Sequence, residues 1–391
     1  MPPRKPAAPS VLSLIDAFSV ISDPRSDRNQ RHPLINIIVI AACGVLAGAD
    51  NWVAIEEWAS AKEDWLGSFL DMSEGVPSHD TFGRVFSILS PVAFQQAFIA
   101  WARGLEVDVV GRVIAVDGKT SRRSHDRSRD RGPIHVVNAW CTAVGVSLGQ
   151  QATDEKSNEI TAVPELLDQL YLKGAIVTLD AMGCQREIAS KIRSKEADYI
   201  LAVKGNQPSL SAAVESVFNA MFAAEDPSAE MRVCSESENT HGRQVTRTAW
   251  VLPAPAALRE QKLWADLATI ICVESGRTEG GKESFERRLY ISSMPATSAQ
   301  PLARAIREHW GVENGLHWVL DVAFREDESR IRIGHAAENM ARLRQIGLNL
   351  LKRETTRKVG IKTKRLRAGW DDAYMMKLLQ LAGHPGEAGD A

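Results

Sequence analysis

The stretch that decides the fold is Arg112-Val113-Ile114-Ala115-Val116-Asp117-Gly118-Lys119-Thr120. Its four consecutive apolar residues predict a short buried strand. The apolar run ends on Asp117, and Gly118 follows at once. Asp-Gly is a common turn dipeptide, but a carboxylate at the end of a buried strand also lies at the rim of a sheet, where binding sites form. This stretch alone leaves turn and site open.

A second stretch repeats the design. Ala175-Ile176-Val177-Thr178-Leu179-Asp180-Ala181 is again a short apolar run that ends on an aspartate. Together with the patterns around it, the run gives the order strand, strand, strand, helix, strand, helix, strand, which is typical of the ribonuclease-H-like fold with its mixed sheet. The first and fourth strands are neighbours in that fold, so Asp117 and Asp180 are expected to face one another at the sheet rim.

The third acid is Glu313. Residues 298–320 predict one amphipathic helix, and Leu302, Ile306, Glu313 and Leu320 fall on a single face of it. Burying an unpaired carboxylate is costly, so a glutamate in the middle of an apolar face indicates a function. Packing of this face on the sheet would bring Glu313 towards the two aspartates.

Three converging carboxylates repel one another unless divalent cations share the site. Hard oxygen ligands suit Mg²⁺, with Mn²⁺ as the alternative. Two metal ions roughly 3.5–4 Å apart can activate a water or a 3′-hydroxyl for in-line attack on a phosphodiester. Asp117, Asp180 and Glu313 are therefore the predicted catalytic residues and metal ligands.

Charge is distributed unevenly along the chain, although the net charge is only −2. Residues 322–367 contain thirteen Lys or Arg and five Asp or Glu. The loop after Asp117 adds further cations: Lys119, Arg122, Arg123, Arg127, Arg129 and Arg131. A solvated basic face is the ordinary interpretation, but two such segments beside one metal site favour contact with DNA phosphates. Trp310 and Trp318 could stack on a displaced base, although core packing is favoured for both.

The 391 residues are enough for two to three domains. We predict a Pro-rich disordered tail (1–10), an all-α N-terminal domain (11–108), an α/β catalytic domain (109–355) with a β-rich insertion at about 225–292, and a basic C-terminal segment and tail (356–391). Within the helical domain, Ser78–Phe86 could be the recognition helix of a helix-turn-helix. Packing through its aromatic residues is the favoured alternative, and whether these helices contact DNA stays open.

Several classes of protein are disfavoured. The apolar run 35–46 is too short to span a bilayer, and the N-terminus lacks the apolar core of a signal peptide, so we expect a cytoplasmic, nucleoid-associated protein. The five cysteines contain no Cys-x-x-Cys pair, which argues against a zinc site. A haloacid-dehalogenase-like phosphatase needs a second aspartate two residues from the first, where Ala115 and Lys119 stand. No Gly-rich phosphate loop is present.

The sequence resembles the DDE-type insertion-sequence transposases of the insertion-sequence-4-like superfamily, within it the H-repeat-associated group that carries an extra N-terminal helical domain. The resemblance covers nearly the whole chain and rests on the joint order of short stretches: Asp23-Pro24-Arg25, Pro77-Ser78-His79-Asp80-Thr81-Phe82, Ala115–Thr120, Leu179–Gly183, Val203-Lys204-Gly205-Asn206-Gln207, His241-Gly242-Arg243, His309–Asn314, Leu316–Val322 and Lys364-Arg365-Leu366-Arg367-Ala368-Gly369-Trp370.

The resemblance implies that Asp117, Asp180 and Glu313 form the catalytic triad of Mg²⁺-dependent cleavage and strand transfer at the ends of an insertion sequence, by a homodimer on double-stranded DNA. The expected DNA contacts are Lys119, Arg122, Arg123, Lys204, Asn206, Gln207, Arg307, His309, Lys364, Arg365 and Arg367. The superfamily's Tyr, Arg and Lys around the glutamate are replaced here by Ile306, His309 and Leu320. His309 is the nearest candidate for the arginine's role, with Arg304 and Arg307 as alternatives, and a hairpin pathway stays open.

Two alternatives remain. One is a transposase-derived DNA-binding protein that has lost its activity, against which the presence of all three acids argues. The other is a DNA nuclease without strand transfer.

Overall fold

The computed structural model describes residues 12–105, 107–125, 132–153, 159–224, 230–240, 243–279 and 282–381. Several predictions concern residues outside these ranges. They are the disordered tail (1–10), the end of the C-terminal segment (382–391), the basic residues Arg127, Arg129 and Arg131, and His241-Gly242 of one matching stretch.

The N-terminal region is helical. Its helices are α1 (Leu12–Phe18), α2 (Leu34–Leu46), α3 (Trp52–Ala61), α4 (Glu63–Leu66), α5 (His79–Ile88) and α6 (Pro91–Arg103). The almost uniformly apolar α2 is buried along nearly its whole length, as expected of a core helix.

The helix proposed for DNA recognition, α5, starts after Ser78, whose hydroxyl accepts a hydrogen bond from the Thr81 amide. Its Phe82, Val85 and Phe86 are fully buried, so the packing interpretation of this helix is confirmed. Among the described residues no single helix is long and apolar enough to cross a membrane. Helices α5 and α6, which meet at a bend of 94°, would together be long and apolar enough, by length and composition only.

The catalytic region is built on one mixed sheet. The first five strands are β1 (Val113–Thr120), β2 (His135–Cys141), β3 (Val146–Thr153), β4 (Ile176–Leu179) and β5 (Asp198–Val203), with α7 (Glu159–Gln169) between β3 and β4 and α8 (Arg186–Ser194) between β4 and β5. They lie in the order β3-β2-β1-β4-β5, and β1 is parallel to β4. The predicted ribonuclease-H-like fold, with the first and fourth strands as neighbours, is confirmed.

The β-rich insertion continues this sheet. After α9 (Pro208–Ala223) come β6 (Arg232–Thr240), β7 (Arg243–Pro253), α10 (Ala256–Glu260), β8 (Thr269–Glu279) and β9 (Lys282–Ser292). Strand β9 pairs antiparallel with β5, so the nine strands of the described residues form one sheet in the order β3-β2-β1-β4-β5-β9-β8-β7-β6. The ends of β8 and β9 near β5 are buried, whereas their far ends are exposed.

The C-terminal region is helical again. It comprises α11 (Ala299–His309), a π-helical turn (Glu313–His317), α12 (Trp318–Phe324), α13 (Ala336–Arg353), α14 (Ile361–Trp370) and α15 (Asp372–Gln380). Helix α13 contacts both α2 and β3 and is buried from Asn339 to Leu351. The N-terminal helices and the sheet therefore share a hydrophobic core through α13.

Candidate active site

Asp117 lies within β1, which continues to Thr120, so the prediction that the strand ends at Asp117 is wrong. The parallel pairing of β1 with β4 stops at Val116 and Leu179, whereas its antiparallel pairing with β2 continues, with Asp117 opposite Asn138. Asp117 is thus the first residue of β1 beyond its parallel neighbour. Its carboxylate lies in the crevice that opens where a parallel strand ends, the usual place for a site in such sheets.

Asp180 directly follows the last residue of β4. Its Oδ1 accepts hydrogen bonds from the backbone N–H groups of Met182 (2.9 Å) and Gly183 (3.3 Å). Such a turn fixes the direction of the aspartate side chain. Asp117 and Asp180 line the same small cavity, as the sequence predicted from the two similar strands.

Glu313 is the first residue of the π-helical turn between α11 and α12. The prediction of one regular helix from 298 to 320 is therefore wrong, because the helix is interrupted at Trp310 and widened at Glu313. Glu313 does not lie in the middle of a buried face: Leu302, Ile306 and Leu320 are buried, whereas the Glu313 side chain is 55% exposed. π-Helical turns inside α-helices are frequent at functional sites.

The π-helical turn also brings in a residue to which the sequence analysis assigned no role. Nδ1 of His317 lies 3.6 Å from Oδ2 of Asp117 and 3.5 Å from Oε2 of Glu313. Among the described residues, Asp117, Glu313 and His317 form a group whose potential ligand atoms all lie within 4.8 Å of one another. The sequence signal was a histidine four residues after the candidate glutamate.

The electrostatics of the site reflect crowding of negative charge. Burial, and then the charges of Asp180 and Glu313, raise the pKa of Asp117 to about 7. Burial lowers the pKa of His317 against the opposing effect of Glu313. Burial also lowers the pKa of His309 to about 4, although Asp180 and Glu313 act in the opposite direction. Burial thus disfavours the charged form of both imidazoles.

Gly118 leaves room beside β1 for the buried side-chain pair of His135 and Glu159. Nε2 of His135 lies 2.5 Å from Oε1 of Glu159, and Nδ1 of His135 lies 2.8 Å from the Thr120 hydroxyl. A Cβ atom at position 118 would collide with both members of the pair. The glycine is therefore required by close packing beside Asp117, and the Asp-Gly pair is not a turn.

Lys119, expected to contact phosphate, is instead enclosed by carboxylates. Its Nζ lies 2.7 Å from Asp321, 3.3 Å from Glu326 and 3.5 Å from Asp327, and its side chain is only 9% exposed. Burial lowers the pKa of Lys119, but these carboxylates outweigh it and raise the pKa overall. The ammonium group is thus an internal cation that connects β1 to α12 and to the segment after it.

The C-terminal basic segment is also largely committed to internal contacts. Nζ of Lys364 donates to the carbonyl of Leu351 at 3.0 Å. The guanidinium of Arg365 donates to the carbonyl of Val45 and to Asp50. Both side chains are buried, so Lys364 and Arg365 are not available to contact DNA in this structure. Arg367, 39% exposed, pairs with Asp371.

Other expected DNA contacts lie at the surface. Arg122 is 81% exposed, with its Nε 3.3 Å from Asp327, and Arg123 is exposed. Lys204 and Asn206, which are exposed, and the half-buried Gln207 follow β5. Nδ2 of Asn206 donates to the carbonyl of Ala181, and Nε2 of Gln207 donates to that of Cys184. The structure thereby brings the Lys204–Gln207 loop next to Asp180.

The remaining predicted contacts belong to α11 and its end. Nδ1 of His309 lies 2.9 Å from the Thr178 hydroxyl, and the ring is buried. Arg307 pairs with Glu236 and Glu238 of the insertion. Trp310 is 45% exposed and Trp318 is 59% exposed, so the expectation that both pack in the core is wrong. Trp310 instead carries the guanidinium of Arg288 over its ring at 4.5 Å.

Two family models match the chain. The model "DDE_Tnp_1-associated" matches residues 15–102, and the model "Transposase DDE domain" matches residues 109–350. A solved piggyBac transposase synaptic complex with hairpin DNA aligns with 95% of this chain and 82% of its own, at 10% identity and a TM-score of 0.42. A structural similarity this low does not support membership of a family.

Two bacterial relatives cover nearly all of the chain. The H repeat-associated putative transposase YhhI of Escherichia coli (strain K12) is 40% identical over 95% of this chain and 98% of its own. The putative transposase YncI of Escherichia coli O157:H7 is 41% identical over 95% of each chain. The chain belongs to the DDE transposases, in the H repeat-associated group.

Proposed function

We propose that this transposase binds the terminal repeats of an insertion sequence, cleaves the DNA there and joins the freed end to target DNA. The observation that supports the proposal is the position of Asp117 in the crevice beyond β4 of a ribonuclease-H-like sheet, where it lines one cavity with Asp180 and has a carboxylate oxygen within 4.8 Å of one of Glu313. In this proposal the three acids are the catalytic residues and the metal ligands.

The chemistry of these side chains fits a divalent cation. Burial and neighbouring negative charge raise the pKa of Asp117, and the cation of Lys119 is already surrounded by other carboxylates. Asp117, Asp180 and Glu313 would hold Mg²⁺ or Mn²⁺, both of which favour oxygen ligands. When bound, such ions polarise the scissile phosphate and lower the pKa of the attacking water or hydroxyl.

The two proposed steps need only water, the element DNA and the target DNA as reactants. Water attacks the phosphorus, the bond to the 3′-oxygen breaks, and the products are a 3′-hydroxyl and a 5′-phosphate. The 3′-hydroxyl then attacks a phosphodiester of the target, so that one ester bond forms as another breaks. For both steps the fixed turn around Asp180 and the strand position of Asp117 supply carboxylates that are oriented before DNA arrives.

The DNA surface that we propose includes the exposed basic and polar groups around this crevice. Lys204 and Asn206 lie on the loop that touches Ala181 beside Asp180, and Arg122 and Arg123 lie beyond the end of β1. Contacts of this type fix the position of a duplex through its phosphates. Arg307, His309 and Arg367 remain candidates that would have to exchange their present partners for DNA.

The N-terminal helices supply a second candidate surface. A cleft between the loop before α2 and helix α5 is lined by four arginines and two glutamates: Arg25, Arg28, Arg31, Arg84, Glu63 and Glu74, of which Arg31 and Glu74 pair with each other. Within the described part of the chain, Arg28 and Arg84 are exposed and have no acidic partner. Burial, and then the charges of Arg31 and Arg25, lower the pKa of His32, and Glu74 acts in the opposite direction. We propose that this cleft holds DNA phosphates and that the active form is a homodimer on paired ends.

The test is incubation of the purified protein with a DNA fragment that carries the element's terminal repeats, a target plasmid and Mg²⁺. We expect cleavage at the repeat ends and joined products. Binding without cleavage would support a DNA-binding protein that has lost its activity, and cleavage without joining would support a nuclease. A fragment with scrambled repeats is the control and should remain uncut.

A further inference from the structure

His317 lies beside Asp117 and Glu313, in a position that suits a further protein ligand of a metal ion. It lies four residues after Glu313 on the same π-helical turn. Its Nδ1 is directed at Asp117 of β1 and at Glu313, and its side chain is 8% exposed. Nε2 of the same ring is buried, and it has no hydrogen-bond partner in the described part of the chain. The ring is thus held by packing, with one nitrogen directed into the acidic crevice.

The distances separate ligation from ordinary hydrogen bonding. N–H···O bonds span about 2.7–3.2 Å, whereas Nδ1 of His317 lies 3.6 Å from Asp117 and 3.5 Å from Glu313. Adjacent ligand atoms at about 2.0–2.2 Å from an octahedral ion are about 2.8–3.1 Å apart. The His317 nitrogen is therefore too far for a good hydrogen bond to either carboxylate, but it lies within about 0.8 Å of the separation that adjacent ligands of a shared ion adopt.

Other roles for this imidazole are less consistent with its surroundings. Lys119, whose charge acts on His317, is enclosed by Asp321, Glu326 and Asp327, so His317 is not needed to neutralise that cluster. Helix α11 before the turn and α12 after it bury their own apolar residues. The widened turn between them directs Glu313 and His317 towards Asp117.

We propose that His317 binds, through Nδ1, a divalent cation that Asp117 and Glu313 also bind. This centre then contains a nitrogen ligand as well as carboxylates. Imidazole suits transition-metal ions better than Mg²⁺. The chain is therefore expected to bind Mn²⁺ in preference to Mg²⁺ by a larger margin than carboxylates alone would give. The inference rests on the metal-dependent function proposed above, but it concerns a ligand that this function does not require.

The decisive measurement needs no DNA and no substitution. Pulsed electron paramagnetic resonance of Mn²⁺ bound to the wild-type protein detects a directly coordinated ¹⁴N nucleus, and labelling the histidines with ¹⁵N changes that coupling in a defined way. We expect one coordinated nitrogen. A spectrum with oxygen ligands only would overturn the inference.

Substitution then identifies the residue. His317→Gln should abolish the nitrogen coupling and weaken Mn²⁺ binding, measured by calorimetry, by about tenfold or more, with a smaller loss for Mg²⁺. His79→Gln, in the N-terminal region where His79 pairs with Glu56, is the matched control and should leave both unchanged. Persistence of the coupling in His317→Gln would exclude His317.

The two hypotheses fail separately. If the wild-type protein cleaves repeat DNA with Mg²⁺ but Mn²⁺ shows no nitrogen ligand, the proposed function stands and this inference falls. If the nitrogen ligand is present but DNA is never cleaved, the metal centre stands and the proposed function falls.

Discussion

Two clusters of carboxylates lie at the end of β1, on residues only two positions apart in the strand. Around Lys119, the carboxylates of Asp321, Glu326 and Asp327 share one buried ammonium group. Around Asp117, the neighbouring charges are those of Asp180 and Glu313, and the pKa of Asp117 rises to about 7. The protein therefore supplies its own cation to the first cluster, while the second gathers negative charge that a proton or an added cation would offset.

This difference separates structural from functional acids in physical terms. A cluster with an internal cation stabilises the fold, because removing the cation leaves buried charge unpaired. A cluster without one costs stability and persists where function needs it. The comparison makes opposite predictions for the two clusters: losing a charge at Asp117 should harm catalysis and favour folding, whereas losing the charge of Lys119 should harm folding.

The largest expected effect is that of Asp117→Asn on DNA cleavage. The substitution removes a negative charge and a proposed ligand but preserves the shape of the side chain, so cleavage should fall by about 10³-fold or more. DNA binding, measured by fluorescence anisotropy on the same repeat fragment, should change little. An equal loss of cleavage and binding would mean that Asp117 has a structural role.

Lys119→Met should produce the largest loss of stability. It leaves Asp321, Glu326 and Asp327 without their shared cation, and breaking buried pairs of this kind costs about 3 kcal/mol or more. Urea unfolding of the purified variant measures the loss. Lys204→Met, which removes an exposed cation, is the control and should stay within about 0.5 kcal/mol of the wild type. A stable Lys119→Met protein that binds DNA poorly would instead restore the predicted phosphate contact.

The order of the core strands could be predicted because each strand and helix has its own hydrophobic period. The pairing of β5 with β9 could not, since it joins residues such as Val203 and Leu289 whose contact no local pattern encodes. The recurrence of an aspartate after two similar strands was sufficient to predict the meeting of Asp117 and Asp180. Glu313 was chosen because a regular helix would place it on an apolar face, but the structure has a π-helical turn there and leaves Glu313 half exposed.

Two failures have a common cause. Counting charges between 322 and 367 did not reveal that Arg365 is held by the carbonyls of Val45 and Ala323, because burial of a cation depends on distant acceptors. His317 was missed because its approach to Asp117 depends on the π-helical turn, and an isolated sequence predicts a regular helix there. Local patterns thus predict elements and their order, whereas partners across the fold decide which polar residues are free to act.

The next effect is the pH dependence of stability in the metal-free protein. The folded-state pKa of Asp117 is raised from its ordinary value of 3.8 to about 7, so between these values the folded form holds a proton that the unfolded chain has released. Stability contributed by this group therefore falls as pH rises through that window and is fully lost above about 7.

Asp117→Asn tests this linkage directly. In EDTA the variant should match the wild type near pH 4 and exceed it above pH 7, by at most a few kcal/mol, since one pK unit corresponds to about 1.4 kcal/mol. Thermal unfolding across pH 4–8 measures the difference, and added Mn²⁺ should reduce it by stabilising the wild type. A constant difference at all pH values would contradict the raised pKa.

The smallest effect concerns the exposed cations at the end of β1. Arg122→Gln combined with Arg123→Gln removes two side chains that we propose contact phosphates, so DNA affinity should fall similarly for repeat and unrelated sequences. Each lost phosphate contact lowers the slope of log affinity against log salt by about 0.9, and the double variant should therefore lose nearly two units of slope. Lys173→Gln together with Arg259→Gln, which removes two exposed cations to which no DNA contact is assigned, is the matched control. An unchanged slope in the Arg122 and Arg123 variant would place the DNA elsewhere on the protein, with the arginine-lined cleft of the N-terminal helices as the next surface to alter.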